Sequence, residues 1–400
     1  MTRNKSIMVV AGETSGDTHA AKVIQALLEK KKDLKIFGMG GPRLAEAGME
    51  VREDLTRQAL IGVWEVLRHY PAIRRRFRQC EKWLQEEKPD LLLLVDFPGF
   101  NLRLAQKAHA LGIKVCYYIA PKTWAWNEKR VQILRKVVDR LLVIFPFEKT
   151  YFKKHGLQAH YVGNPLLEEM DLGPVKKEEV LEQNGISPSH FPLVCVMPGS
   201  RKGEIAKIWP VFLKASRLFT KACPDAAFIV PRARGLAHKD YRGVKPSDTI
   251  YFVEAPAEAM RKVCDVAWVK SGTSTLEMAM LKIPMVVVYK VAALTGFIAK
   301  RVVKVKYVSL VNLLAGKAVV AELLQERAKP RRLVAETLRL MEKGEYRTGQ
   351  IYEFKQIQKS ISDPPNASKN AAEEILKMLK MNLKKGRKSS FTTEDTETTK

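Results

Sequence analysis

The feature that most limits how this chain can fold is a repeated alternation between short apolar runs and segments of helical periodicity. Leu91–Val95 is an unbroken apolar run, which is typical of a strand buried on both faces of a parallel sheet. Similar runs occur at Ser6–Ala11, Lys35–Gly38, Ile113–Tyr118 and Arg140–Ile144, and helical patterns separate them. This βαβ alternation predicts a doubly wound α/β fold with a parallel sheet.

The alternation stops and then restarts, which predicts a second domain of the same kind. Residues 168–192 are polar, carry proline and glycine, and are predicted to be a linker with one helix. Apolar runs return at Leu193–Met197, Ala227–Val230, Thr249–Phe252, Val266–Val269 and Met285–Tyr289. We therefore expect two Rossmann-like domains, residues 1–167 and 193–347, with a cleft between them. Residues 348–382 are predicted to be helical, and residues 383–400, which lack apolar periodicity, a disordered tail.

The charge of the chain indicates anionic partners. Its 400 residues include 69 lysines and arginines against 43 aspartates and glutamates, a net charge of +26, which favours phosphates, nucleic acid or an anionic membrane surface. Five scattered cysteines without a CxxC pair exclude a disulfide framework, argue against structural zinc and fit a reducing cytoplasm. No apolar run approaches the roughly 20 residues of a membrane span, so we expect a soluble or peripheral protein.

In open α/β sheets ligands bind outside the carboxyl ends of the strands, so the loops there are the first candidates for a site. The loop Gly12–Asp17 holds Glu13, Ser15 and Gly16, and its glycines and helix N-terminus suit an anionic ligand. The same residues also fit a plain turn in which Ser15 or Asp17 caps the helix. The glycine spacing differs from that of dinucleotide- and ATP-binding loops, which disfavours both cofactors.

The strand Leu91–Val95 delivers Asp96 to the same edge, just before a turn at Pro98 and Gly99. A carboxylate at a strand end beside apolar groups suits a general base. It also suits a turn residue that caps the next helix, and the sequence leaves both interpretations open.

Two loops of the second domain suit phosphate. Ser200 and Arg201 follow the strand Leu193–Met197, and an arginine there can clamp a phosphate with two hydrogen bonds, although a solvated basic turn fits as well. Later, Ser271, Gly272 and Thr273 begin a helix with amides and hydroxyls, and Glu277 is placed to accept hydrogen bonds from ribose; the alternative is a helix cap with Glu277 facing solvent. Neither loop carries a cluster of carboxylates of the Mg²⁺ type, so we predict a nucleotide diphosphate site without metal or cofactor. Asn312 is either a helix cap or a ligand contact.

One segment favours a membrane surface. Apolar and tryptophan side chains precede a cationic run, namely Leu60, Ile61, Val63, Trp64 and Leu67 before Arg74, Arg75 and Arg76. This pattern is typical of an interfacial helix on anionic lipid, although a core-facing helix with a solvated basic face has the same pattern. The net charge of the chain favours the lipid interpretation.

Taken in order, nine motifs resemble the lipid A disaccharide synthase family over about residues 7–347. They are AGETSGD (Ala11–Asp17), GMGGPR (Gly38–Arg43), VDFPGFN (Val95–Asn101), PKTWAW (Pro121–Trp126), FPFE (Phe145–Glu148), GNP (Gly163–Pro165), PGSR (Pro198–Arg201), SGTSTLE (Ser271–Glu277) and YVSLVNLLAG (Tyr307–Gly316). Nine motifs in order are far more specific than any one of them.

The resemblance implies a GT-B glycosyltransferase fold and an inverting reaction. UDP-2,3-diacylglucosamine and 2,3-diacylglucosamine 1-phosphate would give UDP and a β(1→6)-linked tetraacyl disaccharide 1-phosphate, at the cytoplasmic face of the inner membrane of Gram-negative bacteria. By motif, Asp96 matches the family's essential aspartate, Arg201 its essential arginine, Glu13 the acid of its first glycine loop, and Asn312 its functional asparagine. The resemblance also implies that helices near the C-terminus cross back to the first domain. A homodimer is a further expectation.

The sequence departs from the family pattern at two positions, and alternatives remain. Gly99 stands where many relatives have a second aspartate, and Ala120 stands where a serine usually precedes the proline. Another lipid-linked GT-B glycosyltransferase or a UDP-sugar epimerase is the nearest rival. A nucleic-acid binder is allowed by the charge alone, but the basic residues are spread over both halves and no nucleic-acid motif occurs.

Overall fold

The computed structural model describes residues 4–55, 70–126, 128–233, 235–254, 257–291, 305–342 and 344–380. Two parallel sheets dominate these residues. The strands of the first are β1 Ser6–Ala11, β2 Lys35–Gly40, β3 Glu50–Asp54, β4 Leu91–Val95, β5 Lys114–Tyr118, β6 Arg140–Val143 and β7 Ala159–Tyr161. Their order across the sheet is β3-β2-β1-β4-β5-β6-β7.

The second sheet repeats the design. Its strands are β8 Leu193–Met197, β9 Ala227–Arg232, β10 Ile250–Glu254, β11 Val266–Lys270, β12 Met285–Tyr289 and β13 Ala321–Leu324. Their order is β10-β9-β8-β11-β12-β13, and each neighbouring pair is parallel.

Helices connect the strands. They are α1 Thr14–Lys30, α2 Pro42–Glu46, α3 Tyr70–Glu87, α4 Pro98–Ala110, α5 Thr123–Trp126, α6 Lys129–Val137, α7 Pro146–Lys154, α8 Leu166–Glu169, α9 Lys177–Gln183, α10 Lys202–Ala222, α11 Glu258–Lys262, α12 Thr273–Met280, α13 Leu310–Ala315, α14 Pro330–Met341, α15 Glu345–Ile361 and α16 Ala367–Lys380. Several begin with proline, whose fixed φ and missing amide hydrogen suit the first turn of a helix. In the part of the chain with described helices, none is long and apolar enough to cross a bilayer.

The strands at the centre of each sheet are buried on both faces. Every residue of β1 and β4 is buried. In the second sheet, Cys195 and Ala267 pack into one apolar cluster, whereas Val194 and Trp268 pack into another. Because successive side chains point to opposite faces of a sheet, a strand covered on both faces needs a continuous apolar run. The predicted doubly wound α/β class is therefore confirmed.

The strands that the sequence did not predict lie at sheet edges. They are β3, β7 and β13, and each ends the strand order of its sheet. β3 is the polar sequence EVRED and β7 has three residues. An edge strand pairs on one side and is often short and charged, so it leaves no long apolar run in the sequence.

The contacts within the chain define two compact units. One comprises the described parts of Met1–Cys116 and Ser368–Lys400, and the other comprises Tyr117–Ala367. The predicted boundary at residue 167 lies between the strands of the two sheets, whereas the contacts group residues 117–167 with the later unit. In the first unit, Lys30 forms an ion pair with Glu373 and the Lys114 ammonium donates to the Met378 carbonyl. Helix α16 thus packs in the unit of β1 to β4. The predicted tail, residues 383–400, lies outside the described residues.

Each sheet has one point at which strand order reverses. In the first sheet it lies between β1 and β4, where Ala11 is opposite Val95. In the second it lies between β8 and β11, where Met197 is opposite Val269. Connections leave such a pair of strands in opposite directions, which opens a crevice at their carboxyl ends where α/β proteins bind ligands.

Candidate active site

Two predicted site loops flank the reversal point of the first sheet. Gly12 follows β1 and Asp96 follows β4, and the two strands are neighbours in register. The loops also touch, because a Cβ atom built on Gly12 would overlap the ring of Phe97. Only glycine lets the two loops approach this closely.

Asp96 lies in a turn of unusual backbone conformation. Asp96 and Phe97 both have a φ of 47°, in the left-handed region that residues other than glycine adopt rarely. Conformations of this kind cost of order 1–3 kcal/mol per residue and are concentrated at functional sites. Asp96 is half-buried. Phe97 is the N-cap of α4, so Asp96 lies one residue before that helix cap.

Asn101 holds that turn through hydrogen bonds to backbone carbonyls. Its side chain is fully buried, and its Nδ2 group donates to the carbonyls of Asp96 at 2.8 Å, Val95 at 3.2 Å and Val10 at 3.4 Å. It therefore joins the ends of β1 and β4 and holds the Asp96 peptide. In the sequence Asn101 is the last residue of the VDFPGFN motif, and no pattern there indicates its role.

Asp17, the last residue of the first glycine loop, binds the start of helix α2. Its buried carboxylate accepts hydrogen bonds from the amides of Gly41 at 2.7 Å, Arg43 at 3.1 Å and Leu44 at 3.3 Å. Asp17 thus caps α2, not its own helix α1 as the turn interpretation proposed. The N-cap of α1 is Glu13, which is half-buried.

The two remaining predicted residues of this loop differ in exposure. Ser15 is exposed. Gly16 is buried, and a Cβ atom built on it would make ordinary van der Waals contacts with Val95 and Ala11. Glu13 and Ser15 lie at the carboxyl edge of β1, and their contact with a ligand stays a prediction, as does that of Gly16.

The reversal point of the second sheet carries a cluster of charges. Arg201 is the N-cap of α10, and its guanidinium lies 3.6 Å from Glu204. Glu204 also accepts from the Ser200 amide at 3.2 Å and pairs with the Lys270 ammonium at 2.8 Å. Lys270 is the last residue of β11, and its side chain is 18% exposed. Two cations at neighbouring strand ends therefore share one carboxylate.

The loop after β11 differs in detail from its prediction. Ser271 is buried, its amide donates to the Val288 carbonyl at 3.1 Å, and its hydroxyl donates to the Val308 carbonyl at 2.9 Å. Both of its donors are used inside the protein, and a substrate contact of Ser271 stays a prediction. Gly272 is the N-cap of α12 and Thr273 is exposed. The first amides of a helix have no partner within that helix, so this end of α12 retains donors for an anion.

Glu277 is neither a helix-capping residue nor a free surface carboxylate. It forms an ion pair with Arg261, and both side chains are largely buried. A ribose contact remains a prediction, and it would place the sugar beside this ion pair.

The Asn312 side chain forms hydrogen bonds that hold the region around it. Its Oδ1 accepts from the amides of Val319 at 2.8 Å and Val320 at 2.9 Å, and its Nδ2 donates to the Val320 carbonyl and to Glu322. These four bonds use the hydrogen-bonding capacity of a carboxamide. Asn312 is buried and holds the start of β13, and its contact with a ligand stays a prediction.

Glu322, which the sequence analysis missed, orders the same region. Its carboxylate accepts from the amides of Val308 at 3.0 Å and Ser309 at 2.9 Å and from the Ser309 hydroxyl at 2.8 Å. The family motif at Tyr307–Gly316 is therefore built around one buried network.

A buried glutamate connects two other motifs. Glu148 is 1% exposed and accepts from the Trp124 indole at 3.1 Å and the Phe145 amide at 3.1 Å. Burial raises the pKa of Glu148 to about 7, against the lowering effect of these hydrogen bonds. Its role is to tie the loop after β5 to the start of α7.

The predicted membrane segment is described in part. Leu60, Ile61, Val63, Trp64 and Leu67 lie outside the described residues. Arg74 and Arg75 are exposed on α3, whereas Arg76 is largely buried and pairs with Glu53 at 2.8 Å. The Arg76 guanidinium thus already has a partner within the fold, and its contact with lipid stays a prediction. Arg74 and Arg75 line a surface cavity of about 480 Å³ with Arg78 and Lys82.

Comparison with known proteins decides the family. The family model described as lipid-A-disaccharide synthetase matches residues 7–376. The chain belongs to this family. The lipid-A-disaccharide synthase of Myxococcus xanthus is 38% identical over 385 residues, which cover 95% of this chain and 99% of that protein. The resemblance is thus confirmed, and with it the enzyme class, a glycosyltransferase of lipid A biosynthesis.

Solved structures support the same fold for this chain. A kitacinnamycin glycosyltransferase covers 94% of this chain and 100% of its own at 13% identity, with a TM-score of 0.64. The UDP-GlcNAc 2-epimerase of Neisseria meningitidis bound to UDP-GlcNAc covers 94% and 99% at 14% identity, with a TM-score of 0.61. At such identities the likeness shows the fold alone. The predicted GT-B fold is confirmed.

Proposed function

We propose that the chain transfers a 2,3-diacylglucosamine unit from UDP to the 6-hydroxyl of 2,3-diacylglucosamine 1-phosphate. The products are UDP and a β(1→6)-linked tetraacyl disaccharide 1-phosphate. The observation that carries the proposal is the Asp96 turn: in a chain of this family, a half-buried carboxylate lies at the reversal point of the first sheet on a strained turn held by Asn101.

Asp96 is the proposed general base. As the acceptor's 6-oxygen attacks the anomeric carbon of the donor, its proton passes to the Asp96 carboxylate. The bond from the anomeric carbon to the β-phosphate oxygen breaks, and its electron pair leaves with UDP. Attack from the face opposite UDP inverts the α linkage to β. General base catalysis of this kind contributes about 10²–10⁴-fold to a rate.

The second sheet supplies the proposed leaving-group site. Negative charge develops on the diphosphate during the reaction, so preorganised donors and cations near it lower the barrier. Arg201, with its Ser200 neighbour, and the first amides of α12 at Gly272 and Thr273 lie on the two loops that flank the reversal point between β8 and β11. One well-placed donor is worth about 2.7–4 kcal/mol by analogy with oxyanion holes.

We propose that no metal or cofactor takes part. Cationic side chains and helix amides would carry the charge that Mg²⁺ carries in other nucleotide-dependent enzymes. Within the described ranges, no three His, Cys, Asp or Glu side chains are grouped to hold a metal ion.

Substrate delivery is proposed to occur at an anionic membrane surface on the cytoplasmic side. Each buried CH₂ group is worth about 0.8 kcal/mol, so acyl chains leave a bilayer only at great cost and the enzyme must meet them there. The exposed Arg74 and Arg75 on α3, which follow the apolar residues 60–67 in the sequence, are the proposed contact. A homodimer is compatible with this arrangement and is left to a measurement of mass in solution.

The test is the identity of the products. Synthetic UDP-2,3-diacylglucosamine and 2,3-diacylglucosamine 1-phosphate are incubated with the enzyme, with and without EDTA, and the products are analysed by mass spectrometry. We expect the tetraacyl disaccharide 1-phosphate and UDP in both reactions. Loss of product with EDTA contradicts metal independence. Conversion of the UDP-sugar without lipid acceptor, and no disaccharide with it, contradicts the transferase assignment and favours an epimerase.

A further inference from the structure

Lys270 is a cation in an unusual place. It ends a strand whose other residues, Val266 to Val269, are fully buried, and its own side chain is 18% exposed. Its ammonium is 2.8 Å from Glu204 and lies 5.9 Å from the centre of the Tyr289 ring at the end of the next strand. Burying an ammonium is unfavourable unless a partner compensates it, so the position is maintained by Glu204 and the ring.

Glu204 is shared between Lys270 and the arginine of the proposed diphosphate site. Its Oε1 is the atom nearest to both Lys270, at 2.8 Å, and Arg201, at 3.6 Å, while its Oε2 accepts from the Ser200 amide. It packs so closely on Gly199, which has a φ of +125°, that any Cβ atom there would overlap it. The carboxylate therefore sits between two cations at the carboxyl ends of β8 and β11.

We propose that Lys270 is the second cation of the diphosphate site, and that a bound diphosphate takes the place of Glu204 as its partner. The inference rests on the proposed function, because it names a further binding residue of that site. Arg201 offers a planar fork for two phosphate oxygens and Lys270 offers a point charge. A nucleoside diphosphate has a second phosphate group and about one more negative charge than a monophosphate, which itself carries about −1.5 to −2 at neutral pH, so it matches the pair of cations better. Lys270 therefore determines preference for a diphosphate over a monophosphate.

The test compares UDP, UMP and uridine in calorimetric titrations of wild type and Lys270→Met. Loss of one hydrogen bond between charged groups weakens UDP binding by about tenfold or more, UMP binding by less, and uridine binding not at all. Lys214→Met is the matched control: Lys214 is exposed on α10 and has no ion pair among the described residues, so all three ligands bind it as they bind wild type. Equal losses for UDP and uridine, or an unchanged affinity for UDP, overturn the assignment of Lys270.

Glu204→Gln tests the exchange of partners. The substitution keeps the size of the side chain and removes the competing negative charge. We expect UDP binding to tighten by about twofold or more, since the effect of an exposed ion pair, about twofold to fivefold, is a lower bound for this largely buried pair. Weaker UDP binding in this variant contradicts the exchange. The proposed function fails separately: if wild type itself binds no UDP, the nucleotide site is wrong, whereas UDP binding that Lys270→Met leaves intact refutes only this inference.

Discussion

Substitution of Asn101 by leucine tests whether the Asp96 turn is held as the structure indicates. The change keeps the size of the side chain and removes the amide group that donates to the carbonyls of Asp96, Val95 and Val10. The bond to Asp96 is the shortest at 2.8 Å, and the one to Val10 is long at 3.4 Å. Buried carbonyls that lose a donor cost about 1–3 kcal/mol.

Part of that cost is offset. The Oδ1 atom of Asn101 is buried and has no hydrogen-bond partner among the described residues, so leucine also removes an unsatisfied polar atom. We therefore expect the free energy of unfolding to fall by about 1–2 kcal/mol. The effect on turnover is larger, because a displacement of a catalytic group by about 1 Å can lower a rate by about 100-fold.

The assay is a double-mutant cycle with Asp96→Asn, read as kcat. If Asn101 acts by positioning Asp96, Asn101→Leu lowers kcat by about 10–100-fold in the wild-type background and has little further effect once Asp96 is already asparagine. Gln350→Leu is the control. Gln350 is a buried carboxamide that accepts from the Met285 amide at the first residue of β12, not at the carboxyl end of a strand. It should lower stability and leave kcat unchanged. Equal losses of kcat from Asn101→Leu in both backgrounds refute the positioning role.

Two further outcomes are expected. Because burial raises the pKa of Glu148 from 4.5 to about 7, the folded state binds this proton more tightly than the unfolded state. Relative to Glu148→Gln, wild type therefore loses up to about 3 kcal/mol of stability as pH rises from 4.5 to above 7. The free energy of unfolding is measured by urea titration at several pH values, and a difference between the two proteins that does not change with pH contradicts the raised pKa. Reversing Arg74 and Arg75 to glutamate weakens binding to anionic vesicles by at least about 30-fold at low salt, because the two lost cations alone contribute about 1 kcal/mol each. Vesicle binding is measured by flotation. The control is the double variant Lys355→Glu and Lys359→Glu, which reverses two exposed lysines of α15, and equal binding by the two double variants removes α3 from the membrane contact.

The central strands could be predicted from sequence because burial on both faces forces continuous apolar runs. Leu91–Val95, Leu193–Met197 and Met285–Tyr289 have the predicted bounds. The edge strands β3 and β13 could not be found in this way, since one side of each is unpaired and their sequences are polar or short. Strand order, and with it the reversal points, also requires the structure.

The loops could be located from sequence, but the division of labour within them could not. Asp96 and Arg201 lie at the reversal points where loop position predicts a site. Asn312 and Ser271 were predicted to contact ligand, yet their polar atoms bond to backbone groups that are distant in sequence, such as Val308 and Val320. A single sequence shows which side chains can form hydrogen bonds, and only the fold shows whether those bonds are already made.

Lys270 was overlooked for a related reason. In the sequence it is simply a polar residue that ends an apolar strand. Its pairing with Glu204, which lies on a different strand connection, is what makes it part of a cationic site.

The most direct measurement of the central claim is the turnover of Asp96→Asn together with its affinity for UDP. Asparagine fits the same space and cannot take a proton from the acceptor hydroxyl. The account predicts that kcat falls by about 10²–10⁴-fold while the dissociation constant for UDP, whose proposed site lies on the second sheet, stays within about twofold of wild type. Turnover at the wild-type rate would contradict the assignment of Asp96 as the base.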